Sequence, residues 1–330
     1  MAKDIQRFSL PSRTLISRIE EELESVLRSE DAVAEIGVHL WRSGGKRLRP
    51  LLTFLSAQLF CPGDEVMLQP VLRVAAATEL VHMATLVHDD ILDEASFRRG
   101  YPTVSALWGD QTAVLAGDAL LARALVLLAD NAPQIVVRWM SQMVYDMCEG
   151  EVYQQQTRFN LQQTEETYRL RIEKKTGRFL AACCQAGAFM GGATAEQVET
   201  ARQFGLHLGL AFQITDDVLD IDGDPELMGK PVGSDLAEGI LTLPVLRALQ
   251  VDKGEPPLAQ LLRPDTDLHL RPDHVQEILA RVRKTDGVSY TLRQVESELR
   301  LAQQYLQALP EGEARDQLTA LLGQMGHRRT

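Results

Sequence analysis

Apolar residues recur along most of this chain with a period near 3.6. Leu15, Ile19, Leu23 and Leu27 form one stripe set between charges, and 115–128 is a run rich in Ala and Leu; both predict helices that bury a face. No segment alternates apolar and polar residues as a half-buried strand does. The periodic stretches are broken at Ser43-Gly44-Gly45, Cys61-Pro62-Gly63, Gly100-Tyr101-Pro102, Gly191-Gly192 and 222–233, whose Gly, Pro and Asp content signals loops. Between Gly254 and Pro272 the period lapses, which predicts a surface excursion before helices resume at His274. The stretch 278–322 is amphipathic, interrupted by Gly287 and Pro310, and closes the bundle. Ala201, Gly205 and Gly209 place small residues about one turn apart and predict close helix packing. The expected fold is all-α, a single-domain antiparallel helix bundle over 1–330.

Composition narrows the function. At 330 residues and 45% hydrophobic, the chain can bury a substantial core. A net charge of -12 argues against a nucleic-acid partner, because a phosphate backbone favours a basic face. Any phosphate site is therefore local. Cys61, Cys148, Cys183 and Cys184 form neither a CxxC pair nor an even framework, so a reduced cytoplasm is expected. Residues 1–10 carry Asp4 and Arg7 and lack the apolar core of a signal peptide. The apolar runs fall short of the roughly 18 uncharged residues of a membrane span, which predicts no transmembrane segment and at most peripheral membrane contact.

The chemistry starts at Leu86-Val-His-Asp-Asp-Ile-Leu-Asp-Glu94, where Asp89 and Asp93 lie four apart on one helix face with Asp90 beside them. An acidic stripe is ordinarily a solvated surface. Here Leu86, Val87, Ile91 and Leu92 surround the carboxylates and place the helix partly inside the protein, where crowded carboxylates call for a cation. The same spacing returns at Asp216, Asp217 and Asp220, again within an apolar helix. The repetition predicts two carboxylate sets facing each other across a central cavity. Magnesium suits them, since it takes oxygen ligands and is usually held by a few carboxylates plus substrate phosphates. Zinc would favour His and Cys, and His82, His88 and His207 share no tight spacing with a second such ligand.

A diphosphate also needs cations. Gly44-Gly-Lys-Arg-Leu-Arg-Pro50 sets three of them after two glycines, and it is not a Walker loop because Arg47, not Ser or Thr, follows Lys46. Arg98 and Arg99 follow the first aspartate set within six residues, and arginine suits bidentate phosphate binding. Lys175-Thr176 and Lys230 add donors.

Two DDxxD motifs, GGKRLRP before the first and Arg98-Arg99-Gly100 after it, make the chain resemble a trans-type polyprenyl diphosphate synthase over nearly its whole length. The resemblance implies the isoprenoid synthase fold and head-to-tail condensation of isopentenyl diphosphate with an allylic diphosphate such as farnesyl or geranylgeranyl diphosphate. It implies Asp89, Asp90, Asp93, Asp216, Asp217 and Asp220 as ligands to Mg2+, three ions with diphosphate bound. It assigns Lys46, Arg49, His82 and Arg99 to isopentenyl diphosphate, and Arg98, Lys175, Thr176, Gln213 and Lys230 to the allylic diphosphate. Lys175, Thr176 and Gln213 stand with Asp89, Asp93 and Asp216 as the catalytic set. It also implies a homodimer, or a heteromer with a second kind of chain. Small residues at Ala84 and Thr85, where short-chain members tend to carry aromatic rings, imply a long product of about six to eight prenyl units, Ala84 lying roughly 7–8 Å down the helix from Asp89. One departure stands out. The family pattern GKxTLP reads Gly239-Ile-Leu-Thr-Leu-Pro244 here, so Ile240 replaces an expected allylic-site lysine. A class I terpene cyclase shares metal-diphosphate chemistry but needs one diphosphate, and GGKRLRP with Arg99 argues against it.

Overall fold

Helix-forming periodicity is realised almost throughout the chain. The structure, a computed structural model, describes residues 10–28, 32–223, 232–263 and 270–326. Helices α1 (Leu10–Leu27), α2 (Ala32–Arg42), α3 (Leu48–Gln58) and α4 (Glu65–Leu92) come first. A two-stranded ribbon follows, β1 (Phe97–Arg98) and β2 (Tyr101–Pro102), then α5 (Val104–Trp108), α6 (Asp110–Asn131), α7 (Gln134–Gln156) and α8 (Glu165–Ile172). A π-helical turn, Glu173–Gly177, leads into α9 (Arg178–Met190) and α10 (Ala195–Asp222). The remainder is α11 (Ser234–Ala237), α12 (Leu243–Val251), α13 (Leu258–Leu261), α14 (Pro272–Lys284), α15 (Gly287–Gln307) and α16 (Glu313–Gly326). The chain is all-α, as expected. The ribbon escaped the hydropathy pattern because two residues per strand are too few to alternate.

Two compact units divide the chain. One takes the described residues of Met1–Ser141, Ala182–Arg202 and Leu309–Leu318, and the other those of Gln142–Ala181, Gln203–Ala308 and Thr319–Thr330. In the first, α4 is the central element. Asp64 caps it, its carboxylate accepting from the Val66 and Met67 amides at 3.1 Å each, which satisfies first-turn donors that have no helical partner. Val71, Val74, Ala75, Ala76, Leu80 and Val87 of α4 are fully buried. The stripe expected at Leu15, Ile19, Leu23 and Leu27 is buried on α1.

Two helices, α4 and α6, are long and apolar enough by length and composition to cross a membrane. The sequence expectation that none would be held only for strictly uncharged runs, since each carries charges such as Glu79 and Asp118. In α4 the apolar window is 72% buried, the signature of a core helix; in α6 it is 33% buried. Val114, Leu115, Leu125 and Val126 of α6 stand exposed along one stripe.

In the second unit Tyr168, Ile172, Ile214, Ile221, Leu241, Leu246, Ile278 and Leu279 belong to one buried cluster. It packs α8, α10, α12 and α14 together and fixes the elements that carry the second aspartate set. The excursion at 254–272 contains the short α13, Gly287 opens α15, and Pro310 falls between α15 and α16. Among the described residues the four cysteines form no disulfide, and Cys61, Cys183 and Cys184 are buried.

Candidate active site

The first aspartate set closes α4. Asp89 and Asp90 occupy its last turn, and Asp93 is the residue after Leu92, its amide still donating to the Asp89 carbonyl at 2.8 Å. Helical spacing is thus kept to Asp93, one turn from Asp89, although Asp93 itself is exposed. Glu94 then takes a left-handed conformation, φ 49°, which ends the helix and turns the chain into the ribbon. Arg99 and Gly100 have φ 53° and 81°, the pair of positive values a tight hairpin turn uses. This turn sends the two arginines to different partners. Arg98 Nε donates to Asp90 Oδ1 at 2.6 Å, while Arg99 reaches back to the Gly44 carbonyl.

Gly45, at φ 154°, is a place only glycine serves: a Cβ there would lie 2.9 Å from Arg99 Nη1 and 3.1 Å from Arg47 Nη1. The GGKRLRP loop and the ribbon are therefore built against each other. Arg47, one of the three loop cations, turns away from the set. It is buried, with Glu79 at 2.9 Å, Glu20 at 3.4 Å and the Trp41 carbonyl at 3.0 Å, and holds α1, α2 and α4 together. Arg49 lies in the field of Glu79, Arg99 and Asp89, and burial pulls it below the ordinary guanidinium range. Burial and the charges of Arg49, Arg99, Arg98 and Arg47 push the His82 imidazole well below its usual value, so it is neutral at physiological pH. A neutral histidine amid arginines is an anion site in electrostatic terms. Lys46 is half-buried on the same loop. Ala84 is buried on α4; Thr85 is half-buried and bonds the His82 carbonyl through its hydroxyl at 2.8 Å.

The second unit presents its residues differently. The π turn at Glu173–Gly177 displaces Lys175 and Thr176 from regular helical register, a device frequent at functional sites. Two glycines make room for it. A Cβ on Gly209 of α10 would lie 2.8 Å from Gly177 Cα, and one on Gly150 of α7 would lie 3.3 Å from the Lys175 amide nitrogen. The small residues read as packing at Ala201, Gly205 and Gly209 thus serve the site through their last member. From the turn a relay runs inward. Thr176 Oγ1 donates to Gln213 Oε1 at 2.7 Å, Gln213 Nε2 donates to Asp217 Oδ1 at 2.9 Å, and the Tyr168 hydroxyl donates to Asp217 Oδ2 at 2.7 Å. Lys175 Nζ stands 2.6 Å from Glu151 Oε2, and Glu151 Oε1 accepts from Gln154 and Gln155 at 3.1 and 3.2 Å.

Asp217 and Asp220 are buried. Asp217 is saturated as above; Asp220 accepts from the Ser234 hydroxyl at 2.8 Å and the Asp235 amide at 3.3 Å. Burial raises the Asp217 carboxyl above its usual range against the pull of Tyr168, Gln213 and Arg171. Asp216 remains the half-buried member. Lys230 lies outside the described residues. Among the described residues no group of three or more His, Cys, Asp or Glu forms a ready metal cage. His207 is engaged elsewhere, 2.7 Å from Glu298, and His88 meets the Val114 carbonyl at 3.2 Å.

The donor set fits magnesium: carboxylate oxygens without thiolate or clustered imidazole. Asp90 Oδ2 is buried with no hydrogen-bond partner, an oxygen that a hard cation would satisfy. Sequence reasoning missed Tyr168 and Glu151. Only the pairing of Glu149 and Glu151 with Lys174 and Lys175, at 2.7 and 2.6 Å, left a trace in the sequence, as two acids on one helix and two bases beyond it.

The polyprenyl synthetase family model matches residues 30–280. Heptaprenyl diphosphate synthase component 2 of Bacillus subtilis is 37% identical over 315 residues, covering 95% of this chain and 88% of that one. Among solved structures, heptaprenyl diphosphate synthase from Staphylococcus aureus superposes with a TM-score of 0.89 at 35% identity, covering 96% of this chain and 98% of that one. The polyprenyl synthase of Caulobacter crescentus CB15, complexed with calcium and isoprenyl diphosphate, gives 0.89 at 30% identity and covers 99% and 98%. With both aspartate motifs, the arginine ribbon and the GGKRLRP loop in place on an all-helical frame, the chain belongs to the polyprenyl synthetase family.

Proposed function

We propose that this protein elongates an allylic diphosphate with isopentenyl diphosphate units, releasing pyrophosphate and building a long all-trans polyprenyl diphosphate in the cytoplasm. The observation that carries the reading is the presence of two aspartate motifs together with more phosphate-suited side chains than one diphosphate would use. Arg49, Arg99, Lys46 and neutral His82 suit a diphosphate that stays intact through the reaction, and they are assigned to isopentenyl diphosphate. Lys175, Thr176, Gln213 and Arg98, with Lys230, are assigned to the allylic diphosphate, whose C–O bond breaks. One diphosphate, as in a terpene cyclase, would leave the first set without a ligand.

Asp89, Asp93 and Asp216, the members that are not fully buried, are the main candidates to hold Mg2+, with Asp90, Asp217 and Asp220 completing the two sets. Magnesium, three ions by family resemblance, supplies positive charge to the departing pyrophosphate. The Caulobacter relative, solved with calcium and isoprenyl diphosphate, supports a divalent cation and this substrate class. Lys175 and Arg98 add fixed positive charge where the leaving group gains it. In this reading Thr176 and Gln213 offer their dipoles to the allylic substrate, and their relay to Asp217 orients them. No side chain is required as nucleophile, since the isopentenyl double bond attacks the allylic carbon and the proton then lost passes to pyrophosphate.

The whole chain, 1–330, acts as one isoprenoid synthase domain in this reading. Its exposed apolar stripe on α6, Val114, Leu115, Leu125 and Val126, supports a homodimer, because a second copy would cover apolar surface that water does not favour. A second assembly has one specific support: the Bacillus relative is named component 2 of its synthase. One experiment separates these readings. The purified chain is incubated alone with magnesium, farnesyl diphosphate and labelled isopentenyl diphosphate, and the products are sized. Long labelled polyprenyl diphosphates support the homomeric enzyme. Activity that appears only with a second chain supports the heteromer. Cyclised product without label uptake overturns the elongation reading.

A further inference from the structure

Arg171 on α8 is almost completely buried, at 3% exposure. A buried guanidinium ordinarily has a carboxylate against it. Here, among the described residues, no carboxylate stands within ion-pair distance. Nη2 donates to the Leu241 carbonyl at 3.0 Å, Nη1 reaches Gln163 Oε1 at 3.5 Å, and the buried Nε has no hydrogen-bond partner. The guanidinium carbon lies 5.5 Å from the centre of the Tyr168 ring, whose hydroxyl donates to Asp217. Arg171 is therefore one side chain removed from the second aspartate motif.

Its anchor is informative as well. Leu241 follows Ile240, the residue that stands where the family pattern carries a lysine. Ile240 is itself buried, its amide donating to the Asp235 carbonyl at 2.8 Å. The loop at 239–242 thus carries no cation, and the helix packed against it carries one that no acid within ion-pair distance neutralises among the described residues.

We propose that Arg171 is a positioning residue of the allylic diphosphate site, supplying from α8 the positive charge behind the second aspartate motif that Ile240 does not. This rests on the reading of Lys175, Thr176 and Gln213 as the allylic side. Arg171 acts through Tyr168 and Asp217. With Asp217 doubly hydrogen-bonded, Gln213 is held in one orientation and Thr176 with it. Without the guanidinium, the Tyr168 ring and the Leu241 carbonyl lose the group that holds them, and the Tyr168 hydroxyl is no longer kept on Asp217.

The test is a relocation of charge in the full chain: Arg171→Met, Ile240→Lys and the two together, with Arg171→Lys as a gentler variant. Michaelis constants are measured for farnesyl diphosphate and isopentenyl diphosphate, and calorimetry follows inorganic pyrophosphate with magnesium in the absence of turnover. Arg171→Met is expected to raise the constant for farnesyl diphosphate about tenfold and to weaken pyrophosphate to a similar degree, leaving that for isopentenyl diphosphate within about twofold. The double variant should recover most of the loss, a coupling that two independent sites would not show. Equal losses for both substrates, or a loss of melting temperature with unchanged constants, would make Arg171 a fold residue and overturn the proposal. So would a double variant no better than Arg171→Met. If Arg171→Met does not fold, Arg171→Lys decides in the same way, an unchanged allylic constant and failure of Ile240→Lys to rescue a raised one each counting against it. Wild type that neither binds pyrophosphate nor elongates would instead sink the assignment of the allylic side itself.

Discussion

The two aspartate motifs have the same letters and different fates. The first ends α4, where Asp93 is exposed and only Asp90 is buried, held at 2.6 Å by an arginine that arrives from a hairpin eight residues on. The second ends two residues before the last residue of α10, and there Asp217 and Asp220 are both buried and both hydrogen-bonded within their own unit. A pattern of i, i+1 and i+4 carboxylates thus does not by itself say which oxygens are available. What packs against the helix end decides it: an end left open admits solvent and an arginine, and an end covered by its own unit demands that each buried carboxylate be satisfied where it stands. The first motif is built to receive charge, and the second to hold a geometry.

The largest expected effect breaks this comparison at its sharpest point. Asp89→Ala and Asp216→Ala should each lower turnover by about a thousandfold or more, since each removes a candidate ligand where leaving-group charge develops. Their melting temperatures should stay close to wild type. Asp217→Ala should lose activity and stability together, because the Tyr168 hydroxyl and Gln213 amide are left buried without an acceptor, at about 1–3 kcal/mol each. Labelled-isopentenyl incorporation and thermal melts on the same preparations check both. A stable, fully active Asp216→Ala protein beside an unfolded Asp217→Ala protein would remove Asp216 from the metal set.

Next in size are the cations. Lys46→Ala should raise the Michaelis constant for isopentenyl diphosphate about tenfold and leave that for the allylic partner near wild type, as loss of a uniform binding contact does. Glu151→Gln tests the other side. It removes the charge 2.6 Å from Lys175 Nζ while keeping the shape that Gln154 and Gln155 hold, so Lys175 should lose its fixed position and the allylic constant alone should rise, by a few-fold. Substrate-resolved kinetics in which both variants perturbed both substrates equally would dissolve the two-site division.

A smaller effect follows from His82. Its folded-state pKa is depressed below the ordinary 6.5 by burial and four arginines, so protonation is easier in the unfolded chain. The unfolded state then binds more protons below about pH 6.5, and stability rises with pH through that window. The contribution is fully present above pH 6.5 and is lost as pH falls toward the folded-state value. Melts between pH 5 and 7.5 should show this slope in wild type and a flatter one in His82→Gln; an identical slope in both would assign it to another group.

Much of this organisation was legible in the sequence because it rests on spacing. The Leu15, Ile19, Leu23 and Leu27 stripe, the breaks at Gly45 and Gly191, and the two carboxylate sets follow from helical periodicity and from residues with special backbone needs. What escaped was set by tertiary contact. Nothing local to Tyr168 marks it as the donor to Asp217, 49 residues away. Arg47 and Arg49 look alike in GGKRLRP, yet Arg47 is spent on Glu79 and Glu20 while Arg49 lies in the field of Asp89. The left-handed conformation at Arg47, φ 49°, reverses the chain just before α3 and separates the two roles.

The least disruptive change concerns product length and should leave condensation nearly intact. A tail whose diphosphate is held near Asp89 must run along α4, and one turn before that residue stand Ala84 and Thr85. Both are small, which suits a product of about six to eight prenyl units by family resemblance. The structure separates them. Ala84 is buried against its own unit, while Thr85 is half-buried with its hydroxyl turned to the His82 carbonyl at 2.8 Å. A phenylalanine at 84 must therefore displace packed neighbours, a cost of about 1–3 kcal/mol, before it reaches any tail. A phenylalanine at 85 meets fewer neighbours. Thr85→Phe should accordingly shorten the product toward three or four units with little loss of stability. Ala84→Phe should shorten it with a measurable fall in melting temperature. Chromatography of labelled products, with initial rates to confirm that the metal site is intact, decides the matter. If both variants make the wild-type product, the tail follows another wall; if only Ala84→Phe shortens it, the buried face of α4 is the one that opens when the substrate binds.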